Sequence, residues 1–172
     1  MIFKAFKEKS NQKYINKLLN SRTTDIHQKK IQSIGVILNL NEFADLDAFR
    51  SYFKELEILP PKTKMITFVE DNKITDKLWD TYFSPKDFGW KGSIKNIELQ
   101  SFIDTEFDAL ISFYKQNMLE LNMITALSKA NFKIGISNSD PRLYDLILDV
   151  APTNFQLFKN ELKKYLIVLN KL

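Results

Sequence analysis

The chain reads as an α/β protein: a single Rossmann-like three-layer domain with a mostly parallel sheet of about five strands, preceded by a basic amphipathic helix. Three observations carry this expectation. Residues 107–137, FDALISFYKQNMLELNMITALSKANFKIGIS, run from an apolar segment through a helical one to a second apolar segment. That is the order of a parallel βαβ crossover. Apolar runs at 31–38 and 64–70 bracket another helical segment in the same way. The runs are nearly continuous rather than alternating, as strands covered on both faces require. At 172 residues the chain suits one domain. The expected organisation is a helix over 1–22, a linker over 23–30 and the α/β domain over 31–172.

Taken in order, residues 2–20 carry Ile2, Phe3, Phe6, Tyr14, Leu18 and Leu19 at helical spacing, with lysines over most of the rest. The first strand is expected over 31–38. A helix from about Glu42 to Leu56 follows, capped by Asn39 or Asn41, with Phe43, Leu46, Phe49, Tyr52 and Phe53 as its buried stripe. Pro60-Pro61 ends that segment, and 64–70 is the second strand. Residues 71–106 are the least patterned. A short helix is expected over 74–79, a third strand over 81–83, an irregular loop around Phe88-Gly89-Trp90-Lys91-Gly92, and a short helix or extended lead-in over 94–103. The βαβ unit comes next. The connection from Ile136 to the apolar run 143–150 is short for a parallel crossover. That run is therefore expected to pair antiparallel or to lie at the sheet edge. The last helix starts near Thr153 or Asn154 and buries Phe155, Phe158, Leu162, Tyr165, Leu166 and Leu169.

The net charge of +4 is unevenly placed. Residues 1–30 hold eight basic and two acidic side chains, a balance of +6, which leaves −2 for the remainder. The basicity therefore belongs to the N-terminal segment. Its lysines predict either a helix packed on the domain with a solvated outer side, or one that touches lipid headgroups or RNA phosphate. No apolar run is long enough to cross a bilayer, and lysines break up any signal-peptide core at the start. A cytoplasmic location is expected, with peripheral attachment at the inner membrane face as a variant. The absence of cysteine excludes disulfides, thiolate metal sites and cysteine nucleophiles.

The search for chemistry is mostly exclusion. No Gly-rich phosphate loop follows a strand, and the first strand leads instead into Asn39-Leu40-Asn41. The single histidine, His27, lies in the linker, which leaves hydroxyl nucleophiles without a base. Asp104, Glu106 and Asp108 alternate ahead of a strand, a spacing that places carboxylates on one face. They stand at the amino end, however, whereas open α/β sheets bind ligands beyond the carboxyl ends. The ligand-binding candidates at that end are Asn39, Asn41, Asp71, Asn117, Ser137, Asn138, Ser139 and Asp140. The surface-contact candidates are Lys4, Lys7, Lys13, Lys17, Phe88 and Trp90. No catalytic residue, cofactor or metal is expected.

Two resemblances accompany this reading. Trp90-Lys91-Gly92, FDALISFY at 107–114, ALSKA at 126–130, Lys133-Ile134-Gly135 and Tyr144-Asp145-Leu146 resemble an uncharacterised family of Bacteroidota proteins, flavobacterial above all. That resemblance implies no activity. The βαβ stretch is also similar to part of the N-terminal Rossmann-like domain of heptosyltransferase-type glycosyltransferases. That likeness implies the fold, while the missing second domain and the missing Gly-Asp turn after the first strand separate this chain from the transferase activity. The function expected is a non-enzymatic interaction protein that contacts an anionic surface, an RNA or a protein partner through residues 1–22. The alternative is a binder of a nucleotide or sugar phosphate, or a degenerate glycosyltransferase-like domain.

Overall fold

A computed structural model of the chain describes residues 1–24, 28–70 and 81–172. Among these residues, six strands form one sheet: β1 (Ile34–Asn39), β2 (Thr63–Phe68), β3 (Tyr82–Phe83), β4 (Ala109–Phe113), β5 (Phe132–Gly135) and β6 (Leu146–Ile147). They lie in the order β3-β2-β1-β4-β5-β6, and every neighbouring pair is parallel. The helices are α1 (Ile2–Asn20), α2 (Leu46–Glu55), α3 (Ile97–Asp104), α4 (Leu119–Leu127) and α5 (Phe155–Val168). This is the doubly wound arrangement, in which successive strands run outward in both directions from the centre. The expected α/β fold is present, with six strands where about five were expected, all of them parallel.

The side chains of β1 and β4 sort the core into two layers because successive residues point to opposite faces. Ile37, Leu110 and Tyr114 face a layer built with Leu99, Phe102 and Ile103 of α3 and Leu121, Met123 and Ile124 of α4. Val36, Leu38, Ile111 and Phe113 face the other, with Phe49, Tyr52 and Phe53 of α2 and Phe158, Leu162 and Leu166 of α5. Aromatic rings dominate this second layer. Phe113 meets Phe158 at 4.7 Å and Phe49 at 5.2 Å between ring centres, both edge to face.

The N-terminal helix packs on the first layer beside α4. A doubly wound sheet ordinarily carries a crossover helix between consecutive parallel strands. Between β5 and β6 this chain has only the 3-10 turn Pro141–Leu143. Helix α1 covers the ground left bare there. Ile15 and Leu19 share the core layer with Leu121, Ile124, Leu143 and Tyr144. Polar ties fix the contact. Arg142 donates through Nη1 to Asn20 Oδ1 at 2.6 Å and through Nη2 to Asn16 Oδ1 at 3.1 Å. Arg22 donates to the Arg142 carbonyl and pairs with Asp145.

One pair of local alternatives is resolved and two local expectations are corrected. The run 143–150 does lie at the sheet edge but is not antiparallel, since Ile134 pairs with Leu146 and Gly135 with Ile147 in parallel register. A strand of two residues needs little travel, and the turn doubles back tightly. A Cβ on Gly135 would lie 2.4 Å from the Tyr144 ring. Helix α2 is capped by Asp45, whose carboxylate accepts from the Ala48 amide, not by Asn39 or Asn41. The intervening residues form a turn in which Glu42 and Phe43 donate to the Asn39 carbonyl. Finally, Ile2, Phe3, Phe6, Tyr14, Leu18 and Leu19 are not one stripe. At about 100° per residue, Phe6 and Leu19 are about 140° apart around the axis. Leu19 is buried and Phe6 is exposed. The expected helix at 74–79, His27 and Asp71 lie outside the described residues.

Candidate functional site

The sheet reverses its winding between β1 and β4, and the crevice past their carboxyl ends is where such folds bind ligands. Here the crevice is filled from within. The Glu42 carboxylate accepts from the Lys115 amide at 2.7 Å through Oε2, and from the Gln116 amide at 3.1 Å through Oε1. Asn39, fully buried at the end of β1, donates through Nδ2 to Glu42 Oε1 at 2.9 Å and to Gln116 Oε1 at 3.0 Å. Its own Oδ1 accepts from the Asn41 amide at 3.2 Å. Consecutive backbone amides aimed at one anion form a nest, the device that holds phosphate in other α/β proteins. In this chain the anion is a side chain of the β1–α2 turn.

The remaining carboxyl-end candidates divide. Ser137 is buried after β5; its hydroxyl reaches the Lys115 carbonyl at 3.4 Å and the Ser139 hydroxyl at 3.0 Å. Lys115 pairs with Asp149 at 2.7 Å. These contacts join the ends of β4 and β5 to the same rim as Asn39. Asn41, Asn117, Asn138 and Ser139 are exposed, and Asn117 accepts from the Asn122 side chain at 2.7 Å. Asp140 is engaged elsewhere. It accepts from the Arg142 amide and guanidinium, which holds its carboxyl below the usual range and fixes the arginine against α1.

The carboxylates ahead of β4 are structural. Asp108 Oδ2 accepts from the Gln32 amide, the Ser33 amide and the Ser33 hydroxyl at 2.9–3.0 Å, and Oδ1 pairs with Lys29 at 3.0 Å. Burial acts to raise its pKa, and these four donors together outweigh it, so the group stays below the ordinary carboxylate range. Asp104 pairs with Lys129 on the surface and Glu106 is exposed. Among the described residues no cluster suited to a metal ion is present.

Beneath α4 lies a buried polar group absent from the sequence-based candidates. The hydroxyls of Ser112 and Tyr114 each lie 2.8 Å from Thr125 Oγ1, and Tyr144 donates to Tyr114 at 3.3 Å. Burial pushes the Tyr114 hydroxyl up to about 12 and raises that of Tyr144 further. Both remain protonated donors at neutral pH. Lys133 of β5, also buried, donates to the Thr125 and Ala126 carbonyls in the last turn of α4, at 2.7 and 3.3 Å. Burial, and then the neighbouring Arg22, lower its pKa to about 8, against the attraction of Asp145. These groups tie α4 to the sheet, and all of them are buried.

The surface-contact candidates fall into two sets. Lys7 donates to the Phe88 carbonyl at 3.2 Å, and Asn11 bridges the same loop. Asn11 Nδ2 donates to the Gly89 carbonyl and Oδ1 accepts from the Gly92 amide, both at 3.0 Å. Gly92 has φ +76°, and a Cβ there would meet the Tyr14 ring at 2.3 Å. Phe88 is buried and anchors the loop, so it is not available as a contact surface, whereas Trp90 is exposed at the tip. Lys9, Lys13 and Lys17 are exposed, and no carboxylate among the described residues pairs with them. Lys4 makes only a loose pair with Glu8, at 3.9 Å.

A family model described as "Family of unknown function (DUF6913)" matches residues 7–169. The chain belongs to this family. Comparison with curated proteins and with solved structures returned no match. The span shared with DUF6913 takes in the packed turns of α1, the whole sheet and Glu42 with its amide nest. It begins just after Phe6, so the exposed tip of α1 stands ahead of the DUF6913 match. Glu42, too, is absent from the sequence-based candidates. The signal available was the Asn39-x-x-Glu42 spacing, which resembles a helix-capping pair but serves the crevice instead.

Proposed function

We propose that this protein is a non-enzymatic interaction protein of the cytoplasm, which meets an anionic surface or partner through the outward side of α1. The observation that carries this is the state of the lysines. Lys9, Lys13 and Lys17 are exposed, with no ion-pair partner among the described residues, on a helix whose opposite side is fixed to the domain. A helix held this way presents its charge without paying to order it on binding. Long-range attraction between such a stripe and an anion is screened by salt, with a reach of about 8–10 Å at physiological strength. The test is fractionation of cells expressing the protein, at low and high salt, with the Lys9→Glu/Lys13→Glu/Lys17→Glu variant beside the wild type. Association that salt releases and charge reversal abolishes is the expected result. Identical fractionation of the two proteins would sink the proposal.

A second reading has one observation in its favour. The amide nest at the switch point already holds a carboxylate, that of Glu42, which supports an oxyanion-binding reading. A nucleotide or sugar phosphate bound there, as in a degenerate glycosyltransferase-like domain, must first displace Glu42. Thermal-shift measurements with nucleotides and nucleotide sugars test this. Stabilisation that grows in Glu42→Gln supports it, and a flat response in both proteins removes it.

A further inference from the structure

The outward side of α1 carries more than charge. Its buried side is marked by Asn11, Ile15 and Leu19. At about 100° per residue, Ile2, Phe3, Phe6, Lys9, Lys13 and Lys17 all fall within about 60° of the line opposite that side. The six residues are ordered along the helix. Ile2, Phe3 and Phe6 come first, at 71%, 81% and 58% exposure. The lysines follow. The span from Phe6 to Lys17 is about 16 Å at 1.5 Å per residue. One side of one helix thus passes from a bare apolar tip to a bare basic stripe. Trp90, 49% exposed, stands at the tip of the loop that Asn11, on the packed side of α1, holds through Gly89 and Gly92. Lys91, at the same loop tip, adds another exposed cation.

We infer that the partner of this face is a lipid bilayer surface containing anionic headgroups, on which α1 lies with Phe3, Phe6 and Ile2 inserted and Lys9, Lys13 and Lys17 against the phosphates. This rests on the anionic-contact reading above and narrows it. Charge alone fits any polyanion. The apolar tip does not: an RNA backbone offers nothing for an exposed isoleucine to bury into, whereas the acyl boundary accepts Phe and Ile at a depth of about 5–10 Å. No described helix is long and apolar enough to cross a membrane, so the contact is peripheral. The helix is already folded and clamped by Asn11, Arg142 and Arg22, so the bilayer meets a preformed surface and the whole domain adopts one orientation on it. Each lysine near an anionic leaflet strengthens partition about fivefold, so three contribute about a hundredfold. Two phenylalanines inserted at the interface are expected to contribute a comparable factor.

The test is flotation of the full chain with vesicles of phosphatidylcholine alone and of phosphatidylcholine mixed with phosphatidylglycerol. Wild type is compared with Phe3→Ser/Phe6→Ser and with Lys9→Glu/Lys13→Glu/Lys17→Glu. All five positions are exposed, so each variant is expected to melt at the wild-type temperature, which is checked first. The expected result is flotation with the mixed vesicles only, reduced about a hundredfold in each variant. Flotation that ignores Phe3 and Phe6, or no flotation with the mixed vesicles, overturns the bilayer assignment. Retention on immobilised heparin separates the two failures. If the wild type binds heparin and the lysine variant does not, a soluble polyanion replaces the bilayer and the anionic-contact reading stands. If neither differs on either matrix, both fall.

Discussion

Asn11 is a small residue with a large structural task. It is 2% exposed, and it satisfies one carbonyl and one amide of a loop about eighty positions away in the chain. Asn11→Ala leaves both loop groups without their partner and is expected to cost about 1–3 kcal/mol. Urea unfolding measures the loss, and faster amide exchange at Gly92 locates it. Lys133 gives a pH signature. Its pKa is lowered to about 8 in the folded chain, against an unfolded value near 10.4. Between the two, the unfolded chain binds the additional proton, so stability rises with pH across that window, by at most about 1.4 kcal/mol per unit. Comparing unfolding at about pH 7.5 and about pH 9.5, the wild type is expected to gain relative to Lys133→Met. Equal changes in the two proteins would contradict the assignment. Neither residue was visible as special in the sequence. An asparagine among lysines on a helix, or a lysine within Phe132–Ile136, declares a buried partner only once the distant segment is placed.

At the scale of the element, α1 has two sides with different duties. Its apolar residues were legible, but their division was not. Leu19 is buried in the layer that holds Leu143 and Tyr14 lies against Gly92, whereas Ile2, Phe3 and Phe6 are exposed, and a helical wheel read as one stripe merges them. The packing also decides how α1 is to be tested. Removing residues 1–22 uncovers Leu143, Tyr144 and Ile124 as well as removing the lysines. That truncation is expected to lower the melting temperature and to expose apolar surface to a dye such as ANS. Reversing Lys9, Lys13 and Lys17 is expected to do neither. A truncated chain that melts like the wild type would show that α1 contributes nothing to the first core layer. In the Phe88–Gly92 loop, Phe88 is the buried anchor and Trp90 is exposed, while α1 supplies the polar grip, which no local pattern announces.

At the scale of the molecule, the parallel sheet was readable because β1 and β4 are covered on both faces and therefore almost wholly apolar. The edge was less so, since β3 and β6 are two residues each and carry little periodicity. The carboxyl-end rim was readable as polar but not as closed. Asn39 and Ser137 were recognised as candidates by position, while the group that fills their crevice, Glu42, lay in a stretch read as helix. With that crevice occupied by Glu42 and the hydroxyls beneath α4 buried, the proposed contact rests on the outward side of α1. The most direct test of that claim is the salt dependence of binding to mixed phosphatidylcholine and phosphatidylglycerol vesicles, measured for the wild type and the Lys9→Glu/Lys13→Glu/Lys17→Glu variant under identical conditions. The account predicts wild-type binding that weakens steeply as salt rises, and a variant that fails to bind even at low salt. A variant that binds as the wild type does, with the same dependence on salt, would contradict it.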